Sequence, residues 1–248
     1  MAHPTPLRIA HGYGNSQRGI EAALNGPVDM IEADVWYKAG RILIQHERSL
    51  PLVPILYGLR PRAPGRYPLP RGLPLARWQL RLGLNPLLLE HLIEAVGGRL
   101  QMLLDLKGPV AGANAKSFAD RLAAYLRDVD QEGKVRVCGN WPLLDAVRRN
   151  APEIKVHYSV GGRQQYEALL LRLQEGDSIR GISIHASLLD EDNTRFMLDK
   201  GIEVYSWPAD DIPEARRLIA LGVGGIISYD LDLLGLLPLL AAEANRAL

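Results

Sequence analysis

Short apolar runs rich in β-branched residues alternate along this chain with longer segments whose apolar residues recur at helical spacing. This alternation is typical of a parallel sheet whose strands are connected by crossover helices. Eight runs have the length and composition of such strands: residues 7–10, 30–35, 100–105, 135–138, 155–158, 181–184, 203–206 and 225–228.

The segments that follow these runs have the amphipathic pattern of helices. They are residues 16–25, 85–97, 114–131, 143–150, 162–174, 188–200, 212–221 and the stretch from residue 231 onward. Eight β-α units predict an α/β protein, a (β/α)₈ or TIM barrel with residues 1–248 in one domain. An open, doubly wound sheet fits the same alternation.

One interval interrupts the alternation. After the second strand, Ala39-Gly40 predicts a turn and a short added strand that ends at His46, and residues 47–84 are rich in Pro, Arg and Leu. We interpret about 47–84 as an insertion at the catalytic mouth, acting as a lid or as a surface excursion. The next helix would begin with Asn85 as N-cap and end at Gly97-Gly98.

Composition and charge exclude several kinds of partner. The chain has 29 basic and 28 acidic residues, so no net field would attract nucleic acid or an anionic membrane. Residues 231–242 form the most apolar segment, which is shorter than the roughly 20 residues that a spanning helix needs. Cys138, the single cysteine, is expected to be a buried thiol, and with no signal-like N-terminus we expect a cytoplasmic location.

Three carboxylates indicate a metal site. Glu32 and Asp34 are one residue apart on the second strand and therefore share a face, which in a barrel is the interior. Two buried carboxylates repel each other and are costly to desolvate unless a cation compensates them. Asp105, at the end of the adjacent third strand, would supply a third oxygen ligand, and such a set favours Mg²⁺ or Ca²⁺.

Two histidines and a lysine fall at the same end of the barrel. His11 ends the first strand, His46 ends the added strand, and Lys107 lies two residues after Asp105. One histidine would accept a proton from an attacking hydroxyl and the other would donate one to the leaving oxygen. Lys107 would bind a phosphate oxygen. The arrangement therefore predicts metal-assisted cleavage of a phosphodiester.

The motifs in which these residues stand resemble those of the glycerophosphodiester phosphodiesterase family. The matching stretches are I-A-H-G-Y-G, I-E-A-D-V-W, I-L-I-Q-H-E, L-L-D-L-K-G, V-Y-S-W-P-A-D-D and L-G-V-G-G-I-I-S-Y-D, in the family's order. The resemblance covers nearly the whole chain.

The resemblance implies a role for each matching residue. His11 and His46 would be the acid/base pair, and Lys107 and Trp207 would contact the substrate. Glu32, Asp34 and Asp105 would hold the metal. A neighbouring hydroxyl of a small-molecule phosphodiester would attack phosphorus and form a cyclic phosphate that water then opens.

The chain departs from the family pattern around His11. Gly12 stands where the family has the Arg of H-R-G, and residues 14–16 stand where it has P-E-N-T. Asp105 in D-L-K resembles the sphingomyelinase D branch, so a phospholipase D-like activity on lysolipids is an alternative. Four arginines of the insertion could replace the missing cation: Arg60, Arg62, Arg66 and Arg71.

Two further hypotheses about function stay open. A non-catalytic barrel that binds a phosphodiester would explain Gly12, although binding alone needs no histidine pair. A sugar-phosphate isomerase would need a late catalytic Glu or Lys, for which the later strands offer no candidate. His157 and His185 close the fifth and sixth strands and would either face the same mouth or pack as hydrogen-bonded residues. His3 and His91 receive no role.

Overall fold

The computed structural model describes residues 4–46, 48–49, 55–59, 73–75, 78–82, 87–108 and 113–246. The strands of these ranges are β1 (Leu7–Ala10), β2 (Met30–Lys38), β3 (Arg41–Ile44), β4 (Arg48–Ser49), β5 (Ile55–Leu59), β6 (Leu73–Leu75), β7 (Trp78–Leu82), β8 (Leu87–Leu88), β9 (Gln101–Leu106), β10 (Val135–Gly139), β11 (Lys155–Val156), β12 (Tyr158–Val160), β13 (Gly181–His185), β14 (Glu203–Trp207) and β15 (Gly225–Ser228). The α-helices are α1 (Gln17–Leu24), α2 (Leu89–Val96), α3 (Ala113–Asp128), α4 (Trp141–Asn150), α5 (Arg163–Gln174), α6 (Glu191–Asp199), α7 (Ile212–Leu221) and α8 (Leu231–Arg246).

The main sheet is a parallel barrel. Its strands follow the order β11-β10-β9-β2-β1-β15-β14-β13-β12. Strands β11 and β12 are two halves of one chain segment, interrupted only at His157, whose backbone N–H donates to the carbonyl of Val137 at 2.8 Å. The order therefore begins and ends on the same segment, and the eight predicted strands form the (β/α)₈ barrel rather than an open sheet.

The predicted elements agree closely with the observed ones. The first and eighth strands and α7 have the predicted bounds, whereas the second strand continues three residues further to Lys38. Ser16 caps α1 by accepting a hydrogen bond from the Gly19 N–H at 3.1 Å. The predicted single fifth strand is split at His157.

The predicted start of α2 is wrong. The helix begins at Leu89, with Leu88 as N-cap, and not after Asn85, which lies outside the described residues. Leu87 and Leu88 are extended because they pair antiparallel with β3. The predicted end is confirmed, since Gly97 adopts the left-handed conformation with φ 57°.

The added strand is confirmed as β3. It forms an antiparallel hairpin with β2, and the turn residues Ala39 and Gly40 have φ values of 48° and 74°. Two consecutive positive φ angles are the signature of the tight hairpin turn whose twist matches that of the strands. The strand ends at Ile44, so His46 lies two residues beyond it.

The predicted insertion contains secondary structure of its own. Strands β4, β5, β7 and β6 form a separate antiparallel sheet in that order. The four arginines suggested as a replacement for the missing cation lie outside the described residues. That residues 1–248 form a single domain stays a prediction.

The barrel interior and the outer layer form two cores. Six described residues form the interior core, and each is at most 3% exposed: Ile9, Met30, Leu103, Cys138, Tyr205 and Ile227. A larger apolar layer lies between the strands and the surrounding helices. Among the described residues, no helix has both the length and the apolar character that crossing a membrane requires.

Replacing Gly225 by Ala tests how tightly the interior is packed. A Cβ at this position would lie 2.6 Å from Cδ1 of Tyr205 and 3.0 Å from Cδ1 of Ile9. We expect Gly225→Ala to lower the free energy of unfolding, measured in urea, by about 1–3 kcal/mol, the usual cost of overpacking a core.

Gly133→Ala is the matched control. A Cβ at position 133 would have no described heavy atom within 4 Å. This variant should keep or slightly raise the stability of the parent protein. Equal destabilisation by the two substitutions would contradict the packing argument.

Candidate active site

Three carboxylates meet at the carboxyl end of the second and third barrel strands. Glu32 and Asp34 lie on β2, and Asp105 lies on β9, which pairs with β2 so that Asp34 is directly opposite Asp105. One oxygen from each lies within 4.8 Å of the others. The structure therefore brings together the three residues predicted as metal ligands, and this acidic cluster could bind a metal ion.

Lys107 neutralises part of this cluster. Its Nζ lies 2.8 Å from Oδ1 of Asp34 and also forms an ion pair with Asp105. Burial would lower the pKa of Lys107, but the carboxylates of Asp34, Asp105 and Glu32 outweigh it and raise that pKa well above its ordinary value. The ammonium group therefore stays charged.

The two carboxyl groups that pair with Lys107 have pKa values shifted in opposite directions. Burial raises the pKa of Asp34, but Lys107 and His46 reverse the effect and leave that pKa below its ordinary value. Burial dominates at Asp105, where the pKa is raised despite Lys107. Asp34 is therefore the carboxylate most strongly held in its ionised form.

Asn15 fixes the position of Asp34. The Asn15 amide donates to Oδ2 of Asp34 at 2.7 Å, and its Oδ1 accepts from the Asp34 backbone N–H at 2.8 Å. Asn15 is only 5% exposed. Its role escaped the sequence reasoning, which noted residues 14–16 only as a departure, although an Asn just before a helix cap was the available signal.

Only one of the two carboxylate oxygens of Glu32 has a hydrogen-bond partner among the described residues. Its Oε2 accepts the Gly12 backbone N–H at 2.5 Å, while Oε1 is buried with no hydrogen-bond partner among the described residues. Burial and the neighbouring carboxylates raise the pKa of Glu32 well above its ordinary value. A cation at this oxygen would give Oε1 a partner and would stabilise the buried negative charge of Glu32. The residues present therefore fit a metal ion.

His11 lies beside the carboxylates and stacks on Tyr229. The ring centroids are 4.0 Å apart, the Tyr229 hydroxyl is 3.3 Å from His11 Nε2, and that nitrogen is 4.0 Å from Oε2 of Glu32. Desolvation lowers the pKa of His11 to about 3, so the ring is neutral at pH 7. Sequence reasoning missed Tyr229, which directly follows β15.

His46 shares the electrostatic environment of His11. The His46 ring lies close enough to His11 and Asp34 to affect the pKa of both groups. The Nδ1 atoms of His11 and His46 are buried, and neither has a hydrogen-bond partner within the described ranges. Each ring therefore has one nitrogen that no described residue engages in a hydrogen bond.

A cavity of about 410 Å³ opens over the cluster. Its lining includes four of the predicted site residues beside one another and a fifth across the opening: His11, Glu32, Asp105, Lys107 and Trp207. The remaining lining residues are uncharged: Leu103, Leu106 and Gly108 come from the third β-α unit and the others from the fourth to eighth units. Cys138 is buried beneath it, as expected for a structural thiol.

Gly139 allows Asp105 to reach the cluster. The residue has φ 110°, and a Cβ there would overlap Oδ1 of Asp105 and backbone atoms of Leu106. No L-residue adopts this conformation without strain. The backbone at the end of β10 therefore forms the wall against which the Asp105 carboxylate rests.

The two histidines held as candidates have different environments. His157 is 1% exposed, lies 3.2 Å from Oε2 of Glu203 and stacks on Tyr205, an arrangement that favours packing. His185 packs edge-on against Trp207 at 5.1 Å, and its Nδ1 lies 2.8 Å from the Ser187 hydroxyl. It is thus beside the cavity, although not among its lining residues.

Several known proteins are similar to this chain in sequence or in fold. No protein-family model matches the chain. Glycerophosphodiester phosphodiesterase GDPD4 of Arabidopsis thaliana is 24% identical in an alignment that covers 92% of this chain and 72% of that protein.

Two solved structures share the fold. A glycerophosphodiester phosphodiesterase from Parabacteroides distasonis superposes with a TM-score of 0.67 at 17% identity over 100% of both chains. An Oleispira antarctica phosphodiesterase in complex with the product sn-glycerol-3-phosphate gives a TM-score of 0.66 at 19% identity, covering 92% of this chain and 95% of that one.

The chain is a TIM barrel with an acidic cluster and an adjacent histidine at the carboxyl end of its strands, and it shares its fold with these phosphodiesterases. In the order of its motifs and in its similarity to the curated relative, the chain resembles the glycerophosphodiester phosphodiesterase family.

Gly139→Ala tests the close approach of Asp105. The strained φ and the overlap with Asp105 should displace that carboxylate. We expect a loss of about 1–3 kcal/mol of stability from backbone strain and Ca²⁺ or Mg²⁺ affinity at least about tenfold weaker by calorimetry, since a misplaced ligand costs over 1.4 kcal/mol.

Gly162→Ala serves as the control, because Gly162 has an extended backbone and a Cβ there would meet no described atom within 4 Å. It should bind the metal as the parent does. Unchanged metal affinity in Gly139→Ala would contradict the proposed contact.

Proposed function

We propose that this chain hydrolyses glycerophosphodiesters in a reaction that depends on a divalent cation. The observation that carries the proposal is the convergence of Glu32, Asp34 and Asp105 within 4.8 Å, beside His11, with Glu32 and Asp105 in the lining of a cavity. The relative and the structural neighbour that are described as glycerophosphodiester phosphodiesterases support the same activity.

The three carboxylates would hold Mg²⁺ or Ca²⁺, because all the ligand atoms are oxygens. When bound, the cation would polarise a phosphoryl oxygen and neutralise charge that develops in the transition state. The unpartnered Oε1 of Glu32 supports this assignment. Lys107, relieved of part of its pairing with the carboxylates, would then contact a phosphate oxygen.

His11 and His46 would act as the acid/base pair. One accepts the proton of the substrate hydroxyl that attacks phosphorus, and the other donates a proton to the departing alcohol oxygen. Water then opens the resulting cyclic phosphate while the two histidines exchange roles. The unpartnered Nδ1 atoms of both rings support these roles. Trp207, across the cavity, would border the bound substrate.

A second candidate is a phospholipase D-like cleavage of lysolipids. Gly12 supplies no guanidinium to bind the phosphate, and Asp105 stands where the family usually has Glu. A cytoplasmic location remains part of the proposal and is supported by the lone buried cysteine. Binding without turnover would instead identify a non-catalytic barrel.

Hydrolysis assays test the proposed function. The purified chain with Mg²⁺ or Ca²⁺ should release product from glycerophosphocholine, glycerophosphoethanolamine or glycerophosphoglycerol, and EDTA should abolish the release. His11→Ala and His46→Ala should each lower kcat by about 10²–10⁴-fold, the usual contribution of general acid–base catalysis. His91→Ala is the control, since His91 accepts only from the Leu88 N–H at 3.3 Å.

Two outcomes would overturn the proposal. One is turnover that persists in EDTA, and the other is full activity in His11→Ala. Cleavage of lysophosphatidylcholine in preference to every glycerophosphodiester would favour the second candidate.

Lys107→Met tests the charge balance of the cluster. Without a metal, three carboxylates would lose their cation, so we expect a loss of about 3–5 kcal/mol in EDTA, as for a broken buried ion pair. Ca²⁺ should restore most of the stability in thermal unfolding. The midpoint should therefore rise more with Ca²⁺ in the variant than in the parent.

Lys116→Met is the control, because Lys116 is 65% exposed and pairs with Asp120 on the surface. It should change stability by at most about 1 kcal/mol, with or without Ca²⁺. A Ca²⁺ effect in Lys107→Met no larger than that in the parent would contradict the argument.

A further inference from the structure

The cavity has two chemically different sides. Its charged lining residues and His11 all come from the first three barrel strands. The opposite side is formed by uncharged polar residues of the fourth to sixth β-α units: Asn140, Ser159, Gln165 and Ser183. We call these four residues the amide–hydroxyl wall.

The protein backbone already uses the side-chain acceptors of the wall. The Gln165 Oε1 accepts the Gly161 N–H at 2.7 Å, and the Asn140 Oδ1 accepts the Leu143 N–H at 3.3 Å. Ser159 Oγ accepts the Gly139 N–H at 2.7 Å. Because these bonds orient both amides, their NH₂ groups remain as donors for a bound molecule.

The wall lacks the groups that recognise a quaternary ammonium. Such a cation accepts and donates no conventional hydrogen bond and is bound by aromatic faces or carboxylates. The described lining offers Trp207 as its only aromatic side chain, and its carboxylates, Glu32 and Asp105, belong to the acidic cluster. Hydroxyl oxygens, by contrast, accept hydrogen bonds from amide NH₂ groups.

We propose that the amide–hydroxyl wall binds the leaving alcohol of the substrate and selects a neutral, hydroxyl-bearing group such as glycerol over a quaternary ammonium such as choline. The proposal rests on the proposed function for the position of the phosphate over Lys107. Choline placed against this wall loses water and gains at most the face of Trp207 among the described lining residues, whereas glycerol exchanges water for amide donors.

Gln165→Glu gives the sharpest test. A carboxylate keeps one oxygen for the Gly161 N–H and replaces the NH₂ donor by a negative charge. The control is Gln164→Glu, which adds the same charge at the neighbouring exposed position of α5, outside the cavity lining. Calorimetry in the His11→Ala background, with Ca²⁺, compares glycerophosphoglycerol with glycerophosphocholine without turnover.

We expect the parent background to bind glycerophosphoglycerol more tightly. Gln165→Glu should shift the ratio of dissociation constants toward choline by about threefold to fivefold, as for one exposed ion pair. Gln164→Glu should shift it by less than about 1.5-fold, because charges on the surface are screened by water and salt.

Tighter binding of glycerophosphocholine by the parent background would overturn the inference. So would an effect of Gln165→Glu no larger than that of Gln164→Glu, or the absence of binding by either diester. Turnover by the wild-type chain is measured in parallel. Selective binding of glycerophosphoglycerol without wild-type turnover would refute the proposed hydrolase function and leave the alcohol subsite supported. Turnover that favours glycerophosphocholine would support the hydrolase function and refute the subsite.

Discussion

The site depends on the balance between three buried carboxylates and one lysine. Without Lys107 or a metal ion, Glu32, Asp34 and Asp105 would repel one another within 4.8 Å and lose most of their hydration. Neighbouring groups hold each carboxylate in the position that this charge balance requires. Asn15 fixes Asp34, the Gly12 N–H binds Glu32, and the pairing of β2 with β9 sets Asp105 opposite Asp34.

Charge is therefore confined to one side of the barrel mouth. The first three strands carry the acidic and basic groups, while the later strands contribute amides, hydroxyls and Trp207 to the same cavity. A phosphate bound at the charged side would leave its alcohol substituent over the uncharged side. Catalysis and selection of the alcohol substituent would then depend on different strands. Substitutions could therefore change the preferred substituent without changing the catalytic residues.

The sequence predicted the barrel and its carboxylates because both follow from periodicity. Alternation in β2 puts Glu32 and Asp34 on one face, and parallel neighbouring strands bring Asp105 to the same end. Contacts between distant segments had no such signal. Tyr229 stacks on His11 from the other end of the chain.

Local rules also failed where tertiary pairing outweighed them. The sequence Asn85-Pro86 predicts a helix start, yet pairing with β3 keeps Leu87 and Leu88 extended, and the helix begins at Leu89. His157 interrupts the fifth strand, although its backbone N–H still bonds to the neighbouring strand.

The pairing of β3 with β8 has a consequence for how this barrel could diversify. Ile44 lies opposite Leu87, so the segment between them leaves and re-enters the barrel at adjacent points. A segment with neighbouring ends can be lengthened, shortened or exchanged for another at little cost to the framework. Replacement of the single segment between these two residues could thus give related proteins a new binding surface beside the mouth of the barrel, while the barrel itself stayed the same.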